Sequence, residues 1–152
     1  MGQRMNLAES VKKASRVFLI GNGGSAANAI HIANDWVACG IDARPLLDIA
    51  TITAIANDFG YKYIFSKQIY VVGEKDALLV ALSGSGKSPN ILEGIRAAKK
   101  KNMTTWAIVG EIGSPASKLV HHVIENGRNM QGAEESQLRI GHEVMRWLKK
   151  NS

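Results

Sequence analysis

Residues 17–39 read VFLIGNGGSAANAIHIANDWVAC: an apolar run, a glycine-rich turn and a helical pattern in direct succession. Val17 to Ile20 predict a buried strand, because the run is short, continuous and bounded by glycine. Ser25 to Cys39 predict a helix, with Ser25 as its N-cap. A buried strand joined directly to a helix by glycines is typical of an α/β protein.

The same alternation of apolar runs and helical patterns continues along the chain. Further strands are predicted at 44–47, 77–82, 105–109 and 121–124, and further helices at 7–16, 51–57, 61–72, 89–101 and 132–150. Pro45 restricts its strand to an edge or a strand start. Strands without internal polar alternation, separated by helices, predict a parallel sheet covered on both faces.

Length and composition limit the classes of protein that fit. A chain of 152 residues has room for one domain, which we assign to residues 1–152. Hydrophobic residues at 45% and charged residues at 21% exclude a disordered chain. No long apolar run or leader pattern is present, so we expect a cytoplasmic protein without membrane contact. The single cysteine, Cys39, excludes an internal disulfide and a cysteine-built zinc site.

The net charge of +6 is dispersed along the chain. Lys12, Lys13 and Arg16 fall in the predicted first helix, and the remaining clusters, 99–101 and 149–150, fall at helix ends. Cations at helix C-termini complement the helix dipole, which favours a solvated surface over a nucleic-acid patch. A phosphorylated substrate is the other partner that a basic protein attracts.

The glycine loop at 21–25 suits an anion, because glycines allow close approach and a helix start presents free N–H groups. Gly21, Gly23 and Ala26 also satisfy the dinucleotide pattern G-x-G-x-x-A, with Asp48 where a ribose-binding carboxylate would lie. A dehydrogenase would need a substrate domain for which this chain has no room. A tight turn without a ligand is the remaining alternative.

The segment 83–89, SGSGKSP, repeats this arrangement after another predicted strand. Serine hydroxyls and backbone N–H groups at a helix start can converge on one phosphate group. A Walker A loop is excluded because Ala81 stands where that motif requires glycine. The segment therefore favours a phosphate monoester.

Three segments, 21–26, 53–60 and 82–90, together resemble the signature segments of sugar isomerase (SIS) domain proteins, and among them the phosphoheptose isomerase family. The resemblance implies a five-stranded parallel sheet of flavodoxin-like order in a three-layer αβα sandwich. It also implies a homotetramer with active sites shared between subunits. The implied activity is aldose–ketose isomerisation of a sugar phosphate, with sedoheptulose 7-phosphate converted to D-glycero-D-manno-heptose 7-phosphate for lipopolysaccharide or surface-layer glycan precursors.

The resemblance assigns phosphate contacts to Ser83, Ser85 and Ser88, while Gly84 stands where the family usually has threonine. It assigns further substrate contacts to Asn22, Ser25 and Asp58. For the middle segment an alternative stays open, because Thr53, Asn57 and Asp58 could simply cap helices and form a turn.

Two helices carry candidate proton-transfer groups. His31 and Asp35 are four residues apart on one helix face, and the last helix carries Glu134, Glu135 and His142. Histidines with carboxylates suit a zinc site or an acid–base pair, and the spacing alone also fits a solvated surface.

The resemblance assigns His31, Asp35, Glu134 and His142 to zinc ligation or catalysis, with Zn²⁺ as the implied cofactor. Asp35 would be the base and His142 the proton shuttle, and Glu134 would also contact substrate. Asp35 is one methylene shorter than the family's usual glutamate, which predicts a retracted base. Glu134 replaces a neutral amide, which predicts a stronger site for a hard divalent ion.

A binding function is the alternative to an enzyme. A replication-initiator-associating adaptor of this family shares the run 21–29 almost letter for letter, but it lacks the histidine that His142 supplies here. A sugar-phosphate sensor without chemistry is a third possibility. His142 favours the enzyme.

The segment before the first strand is shorter than the family's usual N-terminal helix, so we expect only a short helix at 7–16.

Overall fold

The computed structural model describes residues 2–152, which form five β-strands and seven α-helices. The strands are Val17–Ile20 (β1), Ala43–Pro45 (β2), Leu78–Ser83 (β3), Thr104–Val109 (β4) and His122–Glu125 (β5). The helices are Gly2–Lys13 (α1), Gly24–Val37 (α2), Ile49–Phe59 (α3), Ser66–Val72 (α4), Pro89–Lys100 (α5), Pro115–Leu119 (α6) and Met130–Lys150 (α7), and a single 3₁₀ turn spans Tyr61–Tyr63.

The strands form one parallel sheet in the order β2-β1-β3-β4-β5. In register, Val17 of β1 lies beside Ala43 of β2 and Leu78 of β3. The strand order therefore reverses direction at β1, and this switch point is where open α/β sheets bind ligands. Because β1 and β3 are parallel neighbours, the loops that follow them meet at one edge of the sheet.

Alternate residues of the central strands pack on opposite sides of the sheet. Val17 and Leu19 of β1 join a core cluster with residues of α1, α2 and α7. Phe18 and Ile20 of the same strand join a second cluster with residues of α4 and α5. The predicted three-layer αβα sandwich with a five-stranded parallel sheet of flavodoxin-like order is confirmed.

The first helix differs from its predicted bounds of 7–16. It begins at Gly2 and ends at Lys13, with Leu7, Ala8 and Val11 buried against the sheet. Arg16 lies outside the helix and pairs instead with Asp42, with 2.9 Å between Nε and Oδ2. The backbone N–H of Ser15 donates to the carbonyl of Asp76 at 2.9 Å, so the segment between α1 and β1 is held by contacts on both sides of the bend at Ser15.

The prediction that Ser25 caps the second helix is wrong. The helix begins one residue earlier, at Gly24, and the N-cap is Gly23 with a φ of 54° and no side-chain capping bond. Glycine adopts that left-handed conformation without the strain that a side chain adds. Ser25 is instead buried inside the first turn, with its side chain turned to α7.

The middle of the chain is more segmented than predicted. Gly60 ends α3 with a φ of 111°, and the predicted helix at 61–72 divides into the 3₁₀ turn and α4. Asp48 begins α3 by accepting from the backbone N–H of Thr51 at 3.0 Å. This bond and a second from the Thr51 hydroxyl hold the pKa of Asp48 below its usual value. Helix α6, begun by the Ser114 side chain, was not predicted from the sequence.

The basic clusters lie largely as predicted, in the last turns of α1, α5 and α7. Lys12 and Lys13 end α1, and Lys149 and Lys150 end α7.

None of the helices within residues 2–152 has both the length and the apolar composition that a membrane span requires.

Candidate functional site

The serine loop between β3 and α5 lines a small cleft at the carboxyl edge of the sheet. Five of the residues predicted to contact substrate line this serine cleft, which measures about 60 Å³: Asn22, Ser25, Ser83, Ser85 and Ser88. Gly86 gives the loop its bend, with a φ of 64°. The tertiary structure thus brings the first glycine loop and the serine loop to one place.

The serine hydroxyls shape the loop from within. Ser83 Oγ accepts from the backbone N–H of Gly86 at 2.9 Å, and Ser85 Oγ accepts from that of Lys87 at 3.2 Å. Each hydroxyl keeps its own O–H free to donate. Ser88 is the N-cap of α5 without using its side chain for capping, and Pro89 follows at the first helical position. The cleft therefore offers donors, and donors suit an anion.

A pair of asparagine amides fastens the two loops together. Asn22 Nδ2 donates to Asn90 Oδ1 at 2.9 Å, and Asn90 Nδ2 donates back to Asn22 Oδ1 at 2.8 Å. The Tyr61 hydroxyl donates to the same Asn22 oxygen at 3.0 Å. Both lone pairs of Asn22 Oδ1 are thus occupied. Of the two N–H groups of the Asn22 amide, one bonds Asn90 and the other is available to a ligand.

A second polar network joins α2 to α7. Gln137 is fully buried and donates from Nε2 to Ser25 Oγ at 3.1 Å. Its Oε1 accepts from Asn28 Nδ2 at 3.1 Å, and Asn28 also donates to the carbonyl of Glu134. Because Ser25 Oγ accepts from Gln137, its hydroxyl proton can point into the cleft.

Helices α2 and α7 also carry a cluster of three possible metal ligands, His31, Asp35 and His142. The two imidazole Nε2 atoms are 3.2 Å apart, and each lies 3.2 Å from Asp35 Oδ2. Asp35 thus reaches both histidines, whereas the expected retraction of the base from a substrate stays a prediction. We call these three residues the metal group.

The geometry of the metal group fits a tetrahedral ion. Zinc bonds of about 2.0 to 2.1 Å place neighbouring ligand atoms about 3.3 to 3.4 Å apart in a tetrahedron, close to the spacing of this triangle. Asp35 Oδ2 is also buried without a hydrogen bond of acceptable geometry, despite its closeness to the two nitrogens. A buried carboxylate oxygen normally has a hydrogen-bond donor or a cation beside it, and a metal ion bound here would be such a cation.

The Glu134 carboxylate is not part of the metal group. It lies against Gly24 at the start of α2, where an added Cβ would overlap its carboxylate atoms. This position is at the positive end of the helix dipole, which stabilises a negative charge. Glu134 is therefore near the glycine loop rather than beside His31 in this structure.

Close packing of α2 on α7 sets the distance between the two histidines. Gly141 adjoins His142, and a Cβ added there would lie 2.5 Å from Cγ1 of Ile32, the neighbour of His31. The carbonyl of Gly141 also accepts from Trp36 Nε1 at 3.1 Å. The two helices can approach this closely because residue 141 has no side chain.

Asp58 is not brought to the serine cleft. It lies in the last turn of α3, and its exposed carboxylate accepts from Asn57 Nδ2 at 3.1 Å. The alternative that Asp58 forms a turn is wrong, since α3 continues through Phe59 before Gly60 ends it.

Sequence reasoning missed three residues that support the site: Tyr61, Asn90 and Gln137. Asn90 directly follows the serine loop, and Gln137 is five residues before His142. A polar residue on the predicted apolar face of a helix was the available signal for Gln137. No local pattern reveals the contacts of Tyr61, which join distant parts of the chain.

The chain is similar in sequence to proteins of one known family. The sequence profile of the SIS domain matches residues 4–110. Phosphoheptose isomerase of Burkholderia pseudomallei is 38% identical over 143 residues, covering 90% of this chain and 71% of that protein. Its counterpart in Nitratidesulfovibrio vulgaris is 32% identical over 146 residues, covering 91% and 70%.

A solved structure is also similar over nearly the whole chain. Phosphoheptose isomerase GmhA of Neisseria gonorrhoeae superposes with a TM-score of 0.93 and 26% identity, covering 99% of this chain and 86% of that one. The family model, the curated relatives and the solved structure therefore point to one family. This chain belongs to the SIS domain family, and within that family it is similar to the phosphoheptose isomerases.

Proposed function

We propose that the protein is a sugar-phosphate aldose–ketose isomerase that converts sedoheptulose 7-phosphate to D-glycero-D-manno-heptose 7-phosphate. The observation that supports this most directly is the metal group, in which two histidines and a carboxylate from α2 and α7 come together. Similarity to phosphoheptose isomerases at 38% identity supports the choice of substrate.

The serine cleft would hold the phosphate through Ser83, Ser85 and Ser88. Their hydroxyls and the free N–H groups at the start of α5 provide the donors that a phosphate monoester needs. Binding at this non-reacting end would fix the position of the carbonyl end. Asn22 and Ser25 would contact the sugar beside it.

The spacing of the two ends suits a long sugar. Ser25 lines the same cleft as the three serines proposed to hold the phosphate, and His31 is six positions further along α2, a rise of about 9 Å. A seven-bond chain from the ketose carbonyl carbon to phosphorus extends about 8 Å at about 1.2 Å a bond, the rise per bond of an extended chain. A triose phosphate, with three such bonds, would reach less than half of this span.

Asp35 and His142 would transfer the protons. Asp35 removes the proton from C1, the carbon beside the ketose carbonyl, and the C–H electron pair becomes the double bond of an enediol. His142 gives a proton to the carbonyl oxygen. Removal of the O1 proton and return of a proton to C2 complete the aldose, so hydrogen is redistributed without an external oxidant.

His31, Asp35 and His142 would hold a zinc ion, which when bound supplies polarisation of the sugar carbonyl. Oδ2 of Asp35 and Nε2 of His142 lie in the metal group, which leaves Oδ1 of Asp35 as the proton acceptor and Nδ1–H of His142 as the proton donor. Glu134, at the glycine loop, would contact a sugar hydroxyl, and a change of its rotamer would be needed for it to join the metal.

We propose a homotetramer in which neighbouring subunits share active sites. Helix α3 supports this, because it is rich in apolar residues yet none is buried. Ile49 is 80% exposed at its start and Phe59 is 57% exposed at its end. A second copy covering this helix would bring its own Asp58 toward a site that Asp58 does not reach within its own chain.

We further propose a cytoplasmic reaction that supplies heptose for lipopolysaccharide or surface-layer glycans.

The direct test combines metal content with turnover. Purified protein is analysed for zinc by mass spectrometry and assayed with sedoheptulose 7-phosphate, beside the variant Asp35→Asn. We expect about one zinc per subunit in the wild type, with turnover lost and zinc reduced in the variant. Absence of both zinc and turnover in the wild type would contradict the enzyme and favour an adaptor or a sensor.

Shared sites are tested by mixing inactive variants. Asp58→Asn and His142→Ala chains are co-expressed with different tags, and assemblies containing both are isolated. If sites are shared, some sites receive Asp58 from one chain and His142 from the other, and activity returns. If each chain supplies both residues to its own site, every site in the mixture stays defective.

A further inference from the structure

A methionine side chain forms one wall of the serine cleft. Met130 is the first residue of α7 and is 56% exposed. A Cβ added to Gly84 would overlap Met130 Sδ and lie 2.9 Å from its Cε. The thioether therefore fills the space above Gly84 that a side chain of the serine loop would otherwise occupy.

Met130 stands between two clefts of different size. The serine cleft measures about 60 Å³, and an adjoining groove along Gly110–Ile112 and Gly127–Asn129 measures about 450 Å³. Both are lined by Gly84, Ser85 and Met130. Of these three residues, Met130 alone has a long side chain.

On the basis of the proposed function, we propose that Met130 is a specificity-determining residue that limits the cleft to a single phosphoryl group. A phosphate monoester ends at the serine loop, whereas a diphosphate continues past it into the space that the thioether occupies. The thioether offers no donor to a phosphate oxygen. A second phosphoryl group there would lose hydration without compensation.

The adjoining groove contains a partner for the excluded group. Arg128 lies on its wall, and no ion pair to its guanidinium is found within residues 2–152. Glu111, on the same wall, is already paired with Lys87 at 2.8 Å. Removing the methionine side chain would therefore connect the serine cleft to an available guanidinium, which binds phosphate oxygens in a bidentate manner.

The test compares the affinities of inorganic phosphate and pyrophosphate by calorimetry. The proteins are the wild type, Met130→Ala, Met130→Leu, the double variant Met130→Ala/Arg128→Gln, and Met5→Ala as a half-exposed methionine elsewhere. Pyrophosphate also binds divalent ions, but all five proteins keep the same metal group, so the comparison between them cancels this contribution.

We expect the wild type, Met130→Leu and Met5→Ala to prefer inorganic phosphate. In Met130→Ala the pyrophosphate-to-phosphate affinity ratio should rise about tenfold or more, which is what one charge-assisted hydrogen bond supplies. The double variant should lose most of that gain. A gain that survives in the double variant would support Met130 as the wall and overturn the role of Arg128.

An unchanged ratio in Met130→Ala overturns the proposal, and so does a wild type that binds pyrophosphate as tightly as phosphate. Failure of the phosphate site on which the proposed function rests has a different signature. In that case the wild type binds no inorganic phosphate, or its affinity is unaffected by Ser83→Ala and Ser85→Ala. Failure of the isomerase activity itself is read from the turnover assay with sedoheptulose 7-phosphate.

Discussion

At the scale of single residues, the proposed chemistry of the site depends on three atoms. The two Nε2 atoms of the metal group and Asp35 Oδ2 form a triangle with sides of 3.2 Å. Asp35 reaches His31 within α2 through their spacing of four residues, and it reaches His142 because α7 packs closely on α2. Site geometry is therefore a property of side-chain length and helix distance together.

Replacement of His142 by alanine should reduce turnover by about 10² to 10⁴, the usual contribution of a positioned acid–base group. Binding of inorganic phosphate should change little, because His142 does not line the serine cleft. The measurements are the steady-state rate with sedoheptulose 7-phosphate and calorimetry with phosphate. His122→Ala, an exposed histidine on β5, is the matched control. A wild-type rate in His142→Ala would remove this residue from the mechanism.

His121 gives the fold a predictable dependence on pH. Partial burial of the ring, and to a lesser degree Lys99 and His122, lower the pKa of His121 below its usual value of 6.5. The residue is exposed overall, but Nδ1 accepts from the backbone N–H of Thr105 at 3.1 Å, which requires an unprotonated nitrogen. The direction of the shift therefore follows from the hydrogen bond as well as from burial.

The folded state therefore binds a proton at His121 less readily than the unfolded chain. Its contribution to stability is present above pH 6.5 and is lost as the pH falls below that value. Urea unfolding at several pH values between 5 and 8 measures this. In His121→Gln the slope of stability against pH should be shallower than in the wild type. An identical slope would assign the acid sensitivity to other groups.

At the scale of elements, glycines set the two contacts that assemble the site. Gly21 lets β1 turn directly into α2, and Gly141 lets α7 approach α2. At both positions a neighbouring segment lies too close for a side chain, and each glycine therefore gives a separate prediction.

Gly21→Ala should destabilise the fold by about 1 to 3 kcal/mol, the usual cost of overpacking. The added Cβ would lie 2.7 Å from the backbone carbon and oxygen of Ser25, and backbone atoms cannot turn aside as a flexible side chain can. Chemical denaturation measures the change. Gly2→Ala, which has open space around it, should be nearly neutral. Equal stability of both variants would contradict the packing described for the glycine loop.

Gly141→Ala should weaken zinc binding as well as stability. Its new methyl group would press on Ile32 and separate α7 from α2, which moves His142 away from His31 and Asp35. The loss of stability should again be about 1 to 3 kcal/mol. Zinc affinity by competition with a chromogenic chelator and stability by denaturation are the readouts.

A second substitution tests whether the effect of Gly141→Ala comes from Ile32. Ile32→Ala removes the contacting atoms, so the double variant should recover zinc affinity relative to Gly141→Ala alone. Its stability loss should be smaller than the sum of the two single losses, because the sites are in contact. Strict additivity with no recovery of zinc affinity would show that Gly141 acts in another way.

At the scale of the whole molecule, the unburied apolar surface of α3 is the main feature left unexplained by one chain. It adjoins the exposed Tyr61, which holds Asn22 in the site. Assembly at this surface would therefore connect oligomerisation to substrate binding.

Ile49→Glu should shift the protein toward smaller species in sedimentation velocity. Ile49 is 80% exposed in the single chain, and an unpaired charge buried in an interface is strongly unfavourable. Lys100→Glu, at the exposed end of α5, should leave the distribution unchanged. A tetramer that persists in Ile49→Glu would place the interface elsewhere, and a monomeric wild type would remove the shared-site proposal.

The sequence by itself determined the layers, the parallel sheet and the two loops, because apolar runs, helical periods and glycine–serine turns are local patterns. It also identified His31, Asp35 and His142 as candidates through their spacing and through resemblance. It did not determine where Ser25 and Glu134 point, or that Gln137 and Tyr61 hold the site. Those positions depend on which helix packs beside which, and only the tertiary structure decides this, since α2 and α7 meet across more than a hundred residues of chain.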